Sequence, residues 1–234
     1  MTGIKTAAAI AESRTVYTSR VKSVSDGMAP SESVIKKSTN GKLGRRVVAR
    51  AHRGFPIYTV TLEERATCPR SCAHWADCYG NNLHLATRYR KGRDLECMMA
   101  DELETLQARH PDGFLVRLHV LGDFYSRRYV ALWSAWLDRF PALHTFGYTG
   151  HPPSSATGRA IDDVKTRHGN RFALRYSGAF DRADSALSMD NPKAAAMVAA
   201  RQAFVCPQQT GKVENCAACA LCWTSPKPVA FLTH

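Results

Sequence analysis

The stretch FLVRLHVLGDFYSRRYVALWSAWLDRFPALHTFGYTG, residues 114–150, decides the fold. Its opening, FLVRLHVL (114–121), alternates around Arg117 and His119, the period of two that a strand imposes on its faces. RRYVALWSAWLDRF then places Tyr129, Trp133, Trp136, Leu137 and Phe140 along one side of a helix, and LHTFGYTG reads as a second strand. Strand, helix, strand predicts two parallel strands and a helical crossover, because an antiparallel pair needs only a tight turn.

The same alternation extends outward. IYTVTL (57–62) is a strand, and a long helical stretch follows from about Asn82 to Arg109, with Leu95, Met99, Leu103 and Leu106 as its apolar stripe. On the other side, ATGRAIDDVKTRHG is a helix closed by Gly169, with Asp162 and Asp163 read as acidic residues near its start. RFALRYSG is a strand, NPKAAAMVAARQAF a helix with Pro192 in its first turn, and PVAFL a last strand. Such alternation implies an α/β fold with mostly parallel strands. The strands are too few for an eight-fold barrel, so a partial, open βα barrel is expected, with its chemistry at the carboxyl ends of the strands.

Three parts are expected: a basic N-terminal arm or hairpin (1–53), the partial barrel (54–205), and a Cys-rich segment packed on it (206–234). Asn40-Gly41, between two β-prone flanks, is the hairpin signal. The arm holds eleven Lys or Arg against Glu12, Asp26 and Glu32, so it carries +8 of the +12 net charge. That asymmetry points to nucleic acid as a partner, through phosphate contacts that release counterions. No apolar run of membrane-spanning length exists, and MTGIKTAAAIAESR makes a poor signal peptide. The expected location is the cytoplasm, with no membrane partner.

In a reducing compartment, clustered thiols hold metal more often than they form disulfides. Seven of the eight cysteines fall in two clusters, and Cys97 stands alone, turned away from the Leu95/Met99 stripe. TCPRSCAHWADCYG carries Cys68, Cys72 and Cys78 as C-x3-C-x5-C. Three thiolates suit three irons of a [4Fe–4S] cluster with the fourth iron open, or a zinc site completed by a histidine such as His74 or by a distant thiolate. CPQQTGKVENCAACALCW carries Cys206, Cys216, Cys219 and Cys222, whose tight C-x2-C-x2-C run favours iron–sulfur ligation over the separated knuckles of zinc. Four cysteines can close a site alone, so the odd trio suggests a separate and reactive centre. One cluster or two, with zinc as the alternative metal, are the expected cofactors.

TCPRSCAHWADCYG, RLHVLGDFYSRRYVALWSAWL and CPQQTGKVENCAACALCW, in that order, resemble the gene product 88 family of phages and mobile elements over roughly residues 55–232. A more distant likeness is to radical S-adenosylmethionine enzymes, which place three cysteines after the first strand of a partial βα barrel. Their motif is usually C-x3-C-x2-C with an aromatic residue before the third cysteine; this chain has three more residues there, and Asp77 at the aromatic position. The likeness implies S-adenosylmethionine as a cofactor. Gly122 and Asp123 of LGDFYS would then answer the turn that receives its amino group.

Arg117 with His119, and Arg175 with Ser177, share faces of their strands and are candidates for a basic pocket taking a phosphate or carboxylate. His151 lies in a loop after a strand. No P-loop, nucleophile elbow, H-E-x-x-H or G-x-G-x-x-G occurs, which disfavours nucleotide hydrolysis and serine hydrolase chemistry. The expected function is that of an iron–sulfur protein of a phage or mobile element with a radical-enzyme-like barrel, acting on or bound to nucleic acid. The alternative is a non-enzymatic, metal-stabilised binding or regulatory protein.

Overall fold

The computed structural model describes residues 2–29, 31–49 and 51–232. In chain order its elements are α1 (Thr2–Glu12), β1 (Val21–Lys22), β2 (Lys36–Lys37), β3 (Ile57–Thr59), β4 (Arg88–Tyr89), α2 (Arg93–Arg109), β5 (Phe114–Leu118) and α3 (Arg127–Arg139). Then come β6 (Leu143–Thr149), α4 (Ala156–His168), β7 (Phe172–Ser177), β8 (Ser185–Ser188), α5 (Pro192–Ala199), β9 (Phe204–Val205), α6 (Cys216–Cys219), α7 (Leu221–Thr224) and β10 (Val229–Phe231). Eight strands form one sheet in the order β2-β3-β5-β6-β7-β8-β10-β9, and only β2 runs antiparallel to its neighbour. The fold is therefore α/β with a mostly parallel sheet. No helix among the described residues is long and apolar enough to cross a membrane.

Alternation along each strand sorts the core into two faces. Phe114, Val116 and Leu118 of β5 join Phe172, Leu174 and Tyr176 of β7 on the helix side. There they meet the α2 stripe of Leu95, Met99, Leu103 and Leu106, with Tyr129, Trp133 and Leu137 of α3 and Ile161 and Val164 of α4. The opposite face presents Ile57, Leu115 and Phe146, which pack on Leu43, Val47, Ala217, Ala220 and Trp223. The C-terminal cysteine segment thus covers the face that the three long helices leave open.

Three local expectations give way to long-range packing. Asn40-Gly41 does not turn a hairpin. Asn40 instead starts a helical turn closed by the Gly44 N–H (2.9 Å), and β2 pairs with β3, Lys36 opposite Thr59. Burial of Val34, Ile35, Leu43 and Val47 outweighs the turn preference, so this part of the basic segment belongs to the core. The helix expected from Asn82 begins only at Arg93, because Arg88 is extended in β4 and fully buried against Glu64. Asp162 lies within α4, not at its start, where it accepts hydrogen bonds from Tyr176 (2.9 Å) and Arg182 (2.7 Å).

Candidate metal centres

The loop bearing Cys68, Cys72 and Cys78 leaves the carboxyl end of β3, and buried charge holds it. Glu64 accepts from Arg88 Nε (2.7 Å) and Thr15 Oγ1 (2.6 Å), while Glu63 pairs with Arg14. Arg88 donates onward to the Gly80 carbonyl (2.9 Å), and Arg65 to Trp75 O (2.9 Å) and Asn81 Oδ1 (2.8 Å). Two buried guanidiniums thus satisfy carbonyls of a loop that has almost no regular structure, as buried backbone requires. Glu63, Glu64, Arg65 and Arg88 were not among the expected site residues. The signal of the first three is present in LEERATC: two acids and an arginine between an apolar strand and the first cysteine.

The ends of β5 and β6 converge on this loop. Gly122 has φ +82°, and a Cβ there would lie 2.5 Å from Thr67 Oγ1, so only glycine lets the β5 end approach. A Cβ on Gly150, after β6, would meet Cys72 Sγ at 3.4 Å. Asp123 clamps the two ends together: its carboxylate accepts from Phe124 N (2.7 Å), Thr149 Oγ1 (2.9 Å) and Gly150 N (2.7 Å). Burial raises its pKa, opposed by His151 and by these donors. His151 is turned to the Phe124 carbonyl (Nε2 to O, 2.7 Å). Burial also raises the pKa of all three thiols, and Cys68 is raised further by Asp123, Cys72 and Cys78. His74 is exposed and faces Asp77 (3.5 Å).

Cys206, Cys216, Cys219 and Cys222 gather on the opposite face of the sheet, where they line one cavity with Phe204 and Trp223. Backbone bonds weld the segment to the rest: Cys216 N to Lys42 O (2.9 Å), Ala217 N to Leu43 O (3.0 Å), Cys206 N to Ala230 O (2.8 Å). Asn215 caps α6 through Ala218 N (2.9 Å), and Ala220, at φ +59°, turns α6 into α7. Burial raises Cys216 to about 12, with Cys222, Cys206 and Cys219 adding to the shift and Arg117 opposing it. Cys219 and Cys222 are also raised by burial. Trp223 Nε1 is buried beside this cavity with no partner in the protein, so a soft acceptor there would satisfy it. An all-thiol donor set, buried at Cys206 and half-buried at Cys216, Cys219 and Cys222, with a spare donor beside it fits a thiolate-bound cluster. Among the described residues, no three His, Cys, Asp or Glu side chains converge on a single-ion position.

The expected basic pocket does not form as paired faces. Arg175 spends its N–H groups on five carbonyls, those of Cys222 (2.8 Å), Leu221 (3.1 Å), Ser225 (2.8 Å), Lys227 (3.0 Å) and Ala183 (3.4 Å). It is a brace for the cysteine segment with no donor left for a ligand. Ser177 shares that strand face, but its neighbour Arg175 is committed. His119 lies beyond the end of β5, where alternation no longer governs, and packs on the helix side against Phe124 and Tyr129 (Oη at 3.2 Å). Burial, with Arg117 adding, lowers its pKa to about 3, so it is neutral. Arg117 alone remains on the cysteine side. Cys97 is exposed on α2, as its helical position implies.

Fold and site together define a mostly parallel α/β protein with two separate groups of largely half-buried thiols, one at the strand ends and one on a sheet face. Residues 33–225 match the gene product 88 family, and the chain belongs to it. No curated protein and no solved structure matches the chain.

Proposed function

We propose that the protein is an iron–sulfur protein with two centres on an open βα barrel of the kind that radical S-adenosylmethionine enzymes use. Cys68, Cys72 and Cys78 hold a [4Fe–4S] cluster with one iron left to a small molecule; Cys206, Cys216, Cys219 and Cys222 hold a second, saturated cluster. A thiolate-bound cluster supplies electrons, and an open iron adds a binding position. The carrying observation is the separation of the thiols. The thiol neighbours of Cys68 are Cys72 and Cys78, whereas those of Cys216 are Cys206, Cys219 and Cys222. The trio also lies against Asp123 and Gly150 at the carboxyl ends of β5 and β6, where parallel sheets concentrate ligand chemistry.

One observation favours the second reading, a non-enzymatic, metal-braced binding protein. Asp123, the residue expected to receive a cofactor amino group, already accepts three hydrogen bonds from its own chain. Nucleic acid is the proposed partner in both readings. It is supported by the exposed Lys36, Lys37, Lys42 and Arg45, none of which forms an ion pair among the described residues.

Anaerobic purification followed by iron, sulfide and zinc analysis tests the metal reading. The expected product is brown, with broad absorption near about 400 nm from thiolate-bound clusters. Colourless protein with stoichiometric zinc overturns it. Titrating the reduced, loaded protein with S-adenosylmethionine then separates the two functional readings: a shift in the cluster's paramagnetic spectrum supports the open iron, and none supports the metal-braced alternative.

A further inference from the structure

Among the described residues, Arg117 is a cation without an anion. It projects from β5 onto the sheet face that carries the C-terminal cysteines, with Phe146 opposite it on β6. Its guanidinium stacks on the Phe146 ring (5.6 Å to the centroid) and the Tyr148 ring (5.0 Å). Both rings lie behind residues that line the cysteine cavity: Phe146 packs on Trp223 at 4.5 Å, and Tyr148 lies beside Cys222. No carboxylate forms an ion pair with Arg117 among the described residues. Arg175, by contrast, reaches the same segment with every donor committed to carbonyls.

Arg117 is half-buried, and drawing a guanidinium even partly out of water is costly unless an opposite charge offsets it. Ring faces offset only part of that cost. The groups that can become anionic around Arg117 are Tyr148, Tyr79, Cys216 and Cys222. The two tyrosines are neutral at ordinary pH, because burial pushes both phenols up. The cysteines become thiolates once a metal centre binds them.

We propose that Arg117 is the counter-charge of the metal–thiolate centre formed by Cys206, Cys216, Cys219 and Cys222, which makes this site electrostatically tuned as well as structural. Four thiolates outweigh the charge of a divalent ion or of a [4Fe–4S] core, so the loaded site is anionic. Arg117 then acts through the Tyr148 and Phe146 rings as a positioning and tuning residue. The inference rests on the metal reading above.

Wild type, Arg117→Met and Arg117→Lys, each loaded with iron and sulfide without oxygen, are compared by chelator competition for iron at fixed pH. Cys219→Ala identifies the class of site that belongs to the C-terminal group. Methionine fills the space between the two rings without charge, and lysine restores the charge with poorer packing. The expected result is a loss of about tenfold or more at that class in Arg117→Met, the range typical of groups supporting metal ligands, with most of the affinity kept in Arg117→Lys. In iron–sulfur-loaded protein the same methionine variant has a lower reduction potential, since the extra electron loses a nearby cation. If Arg117→Met does not fold, Arg117→Gln carries the same comparison. Metal retained with equal affinity and potential in wild type and Arg117→Met overturns the inference alone, as do equal losses in the methionine and lysine variants. Wild type that retains no metal overturns the underlying metal reading instead.

Discussion

The loop carrying Cys68, Cys72 and Cys78 rests on buried charge, whereas the segment carrying Cys216, Cys219 and Cys222 rests on apolar packing. Under the first, Glu64 and Arg88 are sealed from water and the arginine's remaining donors hold loop carbonyls. Under the second, Ala217, Ala220 and Trp223 sink into Leu43, Val47, Leu115 and Phe146. Directional ion pairs fix a loop with no regular structure at the strand ends, where the sheet offers no side-chain surface to lie on. Non-directional apolar contact suffices for a segment that can lie flat on a sheet face. Arg175 is a buried cation that braces the second region, and it bonds carbonyls rather than a carboxylate.

The comparison breaks most decisively at Arg88. Arg88→Met leaves Glu64 buried without its counter-charge and is expected to cost about 3–5 kcal/mol in chemical denaturation. Replacing both residues with apolar ones costs much less, since no orphan charge remains. In surviving folded protein, metal should be lost from the trio first and retained by the other four cysteines. Equal loss from both sites would show that the two regions are not independently supported. The converse change, Trp223→Ala, removes a large buried side chain from the second region. It also costs about 3–5 kcal/mol, here through the cavity it leaves.

The thiols provide a sharper test through pH. Burial raises Cys216 from 9.0 to about 12 in the metal-free fold. A raised pKa means that the metal-free protein is fully stabilised below the unfolded value near 9.0 and loses stability as pH climbs toward about 12. The loaded protein responds in the opposite sense, because its ligands are thiolates and acid competes for them. Melting temperatures of metal-free and loaded protein across this range should therefore diverge. Parallel curves would mean that these thiols hold no metal.

The smallest effect is expected at Arg139–Glu104, an ion pair 2.9 Å long whose side chains are 56% and 63% exposed. Arg139→Ala should change stability by about 1 kcal/mol or less, because water and salt screen such pairs. Its contrast with Arg88 measures what burial adds to the same pair of charges. The exposed lysines and arginine of the basic segment are a different matter. Lys36, Lys37, Lys42 and Arg45 changed to glutamine should leave the fold intact while flattening the salt dependence of nucleic-acid binding. The slope should fall by about 0.9 log units for each duplex phosphate that is no longer neutralised. Deleting the segment is the wrong test, since Val34, Ile35, Leu43 and Val47 lie in the core.

Periodicity by itself determined the architecture from β5 to β7. The apolar positions of α2 and α3 and the alternation of β5 to β7 repeat at spacings that only one secondary structure can bury. The cysteine spacing likewise divided the thiols into a trio and a quartet. The short strands β4, β8 and β9 were not legible, since two to four residues carry too little pattern and are fixed by their neighbours. Nor could the chain order reveal that Lys42 and Leu43 bond the backbone of Cys216 and Ala217, residues far away in sequence. Side-chain roles were decided last of all. Arg117 and Arg175 look alike as inward-facing arginines on parallel strands. Only tertiary structure gives Arg175 five carbonyls and Arg117 two aromatic rings and, among the described residues, no anion. The physical reason is range: periodicity is a local property of one element, whereas a buried charge is defined by whatever the rest of the chain brings within reach.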